Sequence, residues 1–201
     1  QVTNLNLTAY SAGIDLAAGW NFVSTPRKLV TGRSTVSQLF GPVDTAGHTI
    51  WLYDNGAWTA MQASGTIVPL DGIWIWSANA TRVDLVFDST PLLTPAIKQL
   101  EASWNAIGFS DTVAASANST LASVESQWAY LIGFSALQQQ YRTAIINNDQ
   151  TGGPHDEDNP MNSTDGYWLN MTSARELGRI SAGAAPATQG LTPEIAAVPE
   201  I

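Results

Sequence analysis

The strongest constraint on this chain is that it reads as one β motif written twice. The first half runs IDLAAGWNFVSTP, STVSQLF, TIWLYDNGAWTAM and PLDGIWIWSANATRVDLVF. The second runs IKQLEASWNAIGFS, STLASVESQWAYLIGFSAL and STDGYWLNMTSARELGRI. Leu16 corresponds to Leu100, Trp20-Asn21 to Trp104-Asn105, and Asp71-Gly72 to Asp165-Gly166. The first two correspondences are offset by 84 residues and the third by 94, and the difference falls in TGGPHDEDNP at 151–160. A repeat of this kind fixes the architecture before any local reading does. It predicts a first β repeat with an N-terminal strand or arm over 1–90. A second repeat with an inserted acidic loop at 147–160 follows over 91–180, and 181–201 form an Ala/Pro/Thr-rich tail or arm.

Each copy reads as β. TIWLYD, GIWIWS and RVDLVF alternate in the period of two that marks strands. Asp54-Asn55-Gly56 is a hairpin turn between aromatic strands. Asp71-Gly72 and Asp165-Gly166 are expected to open strands after turns, with Gly56 and Gly72 as turn residues. STVSQLF and STLASVE predict short helices with Ser34 and Ser119 as N-caps, and Pro91 and Pro95 mark a boundary. The expected fold is all-β: two tandem β-sandwich-like domains related by internal duplication, each with one short helix.

Charge limits the partners. Charged residues make up 12% of the chain, with 8 basic against 17 acidic and a net charge of −9. Nucleic acid and anionic membrane surfaces are repelled by that field, and no apolar run approaches the roughly 20 residues of a membrane span. A surface of Ser, Thr, Asn, Gln and Gly suits packing against copies of the same chain. The chain opens on Gln1 and has no cysteine, which fits an exported product after removal of a signal peptide. Five Asn-X-Ser/Thr sequons, at Asn6, Asn79, Asn118, Asn162 and Asn170, add to the expectation of an extracellular or cell-surface glycoprotein.

GWNFVSTP, the SxxxLF helix, W-x-Y-D and DGIWIW together resemble the duplicated "GWNLISLP…GYW"-type β module of archaeal and bacterial cell-surface and exported proteins. The likeness spans 14–88 well and 96–180 in part. SWNAIGFS lacks the proline of the first copy, and DGYWLNMT supplies the closing strand. The resemblance implies an extracellular β-sandwich-like module whose motifs are structural, and it carries no catalytic residue across.

Little in the chain points to chemistry. His48 and His155 are the two histidines. There is no HExxH, P-loop or GxGxxG before a helix, and Gly133-Phe134-Ser135 lacks the second glycine of a nucleophile elbow. Asp71 and Asp165 already have a reading as turn residues, so a glycosidase-like carboxylate pair has no positive support. Neither an enzyme nor a resident cofactor is expected, with calcium the one possible exception. Asp149, Asp156, Glu157 and Asp158 offer hard oxygen donors on a Gly/Pro loop that suits Ca²⁺. Their spacing matches no EF-hand, and the alternatives are a solvated acidic loop or a subunit contact. Trp74 with Trp76, Trp51 with Tyr53, and Trp128 with Tyr130 are each two apart and are expected to share a sheet face. Such pairs read either as sugar-stacking platforms or as core, and their recurrence at motif positions favours core. Trp58 is the aromatic expected at the surface. The functional expectation is a structural subunit of a filament, sheath or surface layer, a homopolymer joined through arms such as QVTNLNLTAY and LTPEIAAVPEI. The alternative is a carbohydrate-binding module or an adhesin or spacer of a larger surface protein.

Overall fold

A computed structural model describes residues 12–88, 96–109, 114–147 and 159–178. The N-terminal arm, the C-terminal tail and most of the acidic loop lie outside them. The described chain is mostly β, with a few short helices. The first half contains β1 (Gly13–Leu16), β2 (Gly19–Val23), α1 (Val36–Phe40), β3 (Trp51–Asp54), β4 (Ala57–Ala60), β5 (Ile73–Ser77) and β6 (Thr81–Asp84). The second begins with β7 (Ile97–Leu100), β8 (Ser103–Gly108), β9 (Ala115–Ser116), α2 (Ala117–Thr120) and a 3₁₀ turn (Ala122–Gln127). It continues with β10 (Trp128–Ser135), β11 (Gln140–Tyr141), β12 (Ile145–Ile146), β13 (Pro160–Met161), β14 (Gly166–Met171) and β15 (Arg175–Gly178).

The halves pair their strands in the same order. One sheet runs β2-β5-β3-β4 and the other β8-β14-β10-β11, with β12 also on β10. Each half adds a two-stranded ribbon, β1–β6 or β7–β15, and the second half has a short β9–β13 pair besides. Alternation along the central strands decides what each face meets. In β5, Ile73 and Ile75 join Ile14, Leu16, Leu39 and Phe40 in a core under the first ribbon and α1. In β14, Tyr167, Leu169 and Met171 join Leu100, Leu131 and Leu177 in the equivalent core. The residues between them, Trp74 and Trp168, turn to the opposite face and meet Phe22, Trp104, Ala106 and Ile132 in a third core made by both halves. Phe22 stacks on Trp74 at 4.5 Å between ring centroids. Trp168 meets Phe22 at 5.6 Å and Tyr53 at 5.0 Å.

Backbone contacts between the halves are reciprocal. Val23 bridges to Asp165, and Ile107 bridges to Asp71. Ser24 donates its N–H to the Thr164 carbonyl at 2.9 Å, and Gly108 donates to the Leu70 carbonyl at 2.8 Å. Asp71-Gly72 and Asp165-Gly166 open β5 and β14 after turns, as expected, but the junction rather than a turn accounts for the glycine of each pair. Gly72 and Gly166 are not among the positive-φ glycines, whereas Gly56 is, with Asn55, in the β3–β4 hairpin. A Cβ on Gly72 would lie 2.8 Å from the Ile107 carbonyl oxygen, and one on Gly166 would enter the Phe22 ring. Glycine is required there because the other half comes too close for a side chain.

The Trp-Asn motif is explained by its asparagine. Asn21 Oδ1 accepts from the Ala17 N–H at 2.8 Å, while Nδ2 donates to the carbonyls of Ala17 at 2.9 Å and Gly19 at 2.8 Å. Asn105 repeats all three bonds with Glu101 and Ser103 at 2.9, 2.8 and 3.0 Å. One buried amide thus closes the turn between ribbon and sheet in each half. Gly19 (φ +100°) and Ser103 (φ +87°) hold the matching left-handed position.

Three local expectations are corrected. The N-cap of α1 is Thr35, not Ser34, because Thr35 has Gln38 three residues on and forms a reciprocal capping box. The N-cap of α2 is Ser116, whose hydroxyl accepts from the Ser119 N–H at 3.2 Å. Trp128 and Tyr130 do not share a face: the ladder to β14 shifts register between them, so Trp128 enters the second-half core and Tyr130 packs on the aromatic layer.

The outer edge of β2 is covered by a side chain. Gln139, in the β10–β11 turn, accepts from the Trp20 N–H at 2.8 Å and donates to the Trp20 carbonyl at 2.9 Å. Its amide occupies the place of a neighbouring strand.

Asn21→Ala and Asn105→Ala each remove three hydrogen bonds to partly buried backbone groups. Each is expected to cost about 2–4 kcal/mol. Urea unfolding should give similar losses for the two, because the geometry is the same. A loss below a few tenths of a kcal/mol in either would contradict the staple role.

Candidate functional site

The alternation of β7 places a lysine where a core residue belongs. Ile97 points outward at 53% exposure, and Lys98 points inward at the position corresponding to Ile14 of the first half, which is buried. The Lys98 side chain is 8% exposed and Nζ lies 2.6 Å from Oδ1 of Asp71, itself 14% exposed. Asp54 Oδ1 completes the group at 3.1 Å. Asp54 ends β3 and Asp71 is itself the residue that bridges to Ile107, so the triad ties the second-half ribbon to the first-half sheet. Burial pushes the Asp71 carboxyl above its ordinary value. The Lys98 charge and hydrogen bond pull it back only in part, and Asp54 adds to the rise. Sequence reasoning treated Asp54 and Asp71 as turn residues and passed over Lys98. The signal was present, in an IKQL strand whose inward position carries a charge.

The residues singled out from sequence are scattered. His48 lies in a turn before β3, with Ala46 and Gly47 at positive φ. Its ring packs 5.6 Å from Trp20 and 4.6 Å from Trp76. His155 and the proposed calcium ligands Asp149, Asp156, Glu157 and Asp158 lie outside the described residues. Among the described residues, no group of three or more His, Asp or Glu side chains converges as a ligand set. Of the sequons, Asn79 is exposed between β5 and β6, and Asn162 is exposed between β13 and β14. The Asn162 N–H donates to the Tyr167 hydroxyl at 2.7 Å, and burial pushes that phenol's pKa upward. Asn118 is half-buried in α2. Asn170 sits inside β14, flanked by Tyr130 and Trp104 on the two neighbouring strands, rather than in a loop. Asn6 lies outside the described residues.

Most aromatic side chains line the shared core. Trp58 is half-buried rather than exposed, because β4 lays it 5.2 Å from Tyr53 and 5.7 Å from Trp168. The buried indole N–H groups of Trp51 and Trp74 have no hydrogen-bond partner among the described residues, so these rings act there through area and shape. Trp20, His48 and Trp76 form one part of the layer that reaches the surface, and Tyr141, packed on Trp74 and Phe134, forms another.

A cleft of about 380 Å³ also opens between the halves, walled by the β1–β2 turn and the end of β10. Phe22 lines it, Arg142 and Asp165 face it as a 3.0 Å ion pair, and Leu137 on its rim is 91% exposed. The described helices are too short to cross a membrane.

Lys98→Met leaves Asp71 buried without a cation and is expected to destabilise the protein by at least about 3 kcal/mol at neutral pH. A carboxyl held above its unfolded value favours folding most when protonated. That contribution is complete below about pH 4 and is lost as the pH rises through the raised folded value. Removing Lys98 raises that value further. The deficit of Lys98→Met relative to wild type should therefore shrink on acidification, and urea titrations at pH 7 and below pH 4 test this. An equal deficit at both pH values would rule out the buried carboxylate as its cause.

No known protein family, curated protein or solved structure matches the chain.

Proposed function

We propose that the protein is a structural subunit of an extracellular surface assembly: two tandem β-sandwich-like copies of one unit, exported, glycosylated and joined to further copies through strand or arm contacts. Equal strand orders, matched asparagine staples and reciprocal bridges support the duplication. The subunit reading is carried by an open sheet edge on a charge-poor unit that encloses most of its aromatic side chains. β4 ends the sheet order of the first half with no further strand beside it among the described residues. The bond from the Met61 N–H to the Ile50 carbonyl at 2.9 Å sets the ladder phase. By alternation the N–H and C=O of Trp58 and Ala60 therefore face the open side. Such an edge is a template for a strand from another chain, and head-to-tail addition that does not close gives a filament.

Electron microscopy of the concentrated full chain is expected to show filaments or sheets. Ala60→Pro removes one outward donor while leaving the β3–β4 ladder bonds in place, and it should reduce assembly with the fold kept. Monodisperse particles at every concentration would refute the subunit reading. If chains lacking 1–10 or 182–201 both assemble like the full chain, arm exchange is wrong.

One observation favours a second reading, a carbohydrate-binding adhesin or spacer. Trp20, His48 and Trp76 cluster half-buried at one end of the sheet, a surface on which a sugar ring can stack. A glycan array should then give hits that Trp76→Ala abolishes, and an array without hits removes this reading.

A further inference from the structure

Lys98, Asp71 and Asp54 have the arrangement of a reaction as well as of an ion pair. The amine nitrogen lies 2.6 Å from an oxygen of Asp71 and 3.1 Å from an oxygen of Asp54. The lysine and Asp71 side chains are 8% and 14% exposed, while that of Asp54 is 38% exposed. The lysine replaces an aliphatic residue of the corresponding first-half position, so packing alone does not call for it. The chain has no cysteine, and a covalent tie between its halves has to come from other side chains.

We propose that Lys98 and Asp71 condense to an intramolecular isopeptide bond, with Asp54 as the proton relay, so that an amide joins the second-half ribbon to the first-half sheet. The ammonium first gives a proton to the Asp71 carboxylate, leaving a neutral amine beside a neutral acid. The nitrogen lone pair forms the C–N bond at Asp71 Cγ. Asp54 takes a proton from that nitrogen and returns it to the departing hydroxyl, the C–O bond breaks, and one water leaves. Ammonium plus carboxylate become amide plus water, so charge balances and no oxidant or co-reactant is needed.

Two physical terms favour this outcome in the folded chain. Burial penalises the charged form of Asp71 and holds its carboxyl above the ordinary value, which favours the neutral acid that the amine attacks. The fold also holds amine and acid in contact, where effective concentrations are on the order of 10⁵ M or more. In the unfolded chain neither term operates, so the bond forms only after folding. This inference is independent of assembly, since it concerns contacts within one chain.

Mass spectrometry of the purified full chain tests it. The wild-type protein should lack the mass of one water. Trypsin should fail to cleave after Lys98 and should yield a branched species joining residues 34–82 to residues 83–142. Lys98→Arg keeps the charge but not the nucleophile, and Asp71→Ala removes the acyl group; both should restore the full mass. Asp54→Asn should form the bond about a hundredfold more slowly or not at all. The wild-type result does not depend on whether any variant folds. Recovery of a free tryptic peptide 83–98 from folded wild-type protein, with no branched species, would overturn the proposal. Wild-type bond formation in Asp54→Asn would remove the relay role.

Discussion

The structure depends on how closely its two halves approach. β2 and β8 each end against the backbone that enters the central strand of the other half, at Val23–Asp165 and Ile107–Asp71. That approach leaves no room for a Cβ at Gly72 or Gly166, and it brings the tryptophan faces of both sheets into one layer. A central strand such as β5 is consequently buried on both faces, aliphatic towards its own half and aromatic towards the other. Neither sheet on its own would cover its aromatic face. The halves have separate cores, yet the third core gives a strong reason for them to unfold together.

Much of this was legible in the residues, and most of the misses share a cause. Trp-Asn and Asp-Gly recur because each does a job that tolerates few alternatives: a side-chain amide closing a turn, and a backbone position facing another backbone. The pairing of Asn55-Gly56 with a tight hairpin was likewise visible, since two successive left-handed residues need that chemistry. All but one of the failures lie where a local rule depends on a partner distant in sequence; the exception is the N-cap of α1. Gly72 looked like a turn because its neighbour across the junction cannot be seen from its own half. Trp128 and Tyr130 looked like a same-face pair because a one-residue bulge leaves no mark in the alternation. Thr35 displaced Ser34 through its reciprocal partner Gln38, which a scan for the first hydroxyl residue overlooks.

Lys98 is the instructive miss within the candidate site. Its strand reads Ile-Lys-Gln-Leu, and Leu100 fixes the inward face, so the phase was available and placed a charge inside. Alignment of the two halves set it opposite Ile14. What sequence could not supply was the identity of the balancing groups, which come from a hairpin and a strand entry far apart along the chain. Buried charge is retained only where such balance exists, and both carboxylates belong to the other half. This asymmetry between otherwise equivalent positions distinguishes the second half chemically from the first.

The amide of Gln139 over Trp20 carries its own consequence. It satisfies one donor and one acceptor on the outer edge of β2, whereas no strand lies beside β4 at the opposite edge of that sheet among the described residues. Among the described residues the sheet is plugged at one margin and unpaired at the other. On the proposed reading, an array extended by main-chain pairing through this sheet inherits a polarity, with a head and a tail that differ, because the two described margins are not alike.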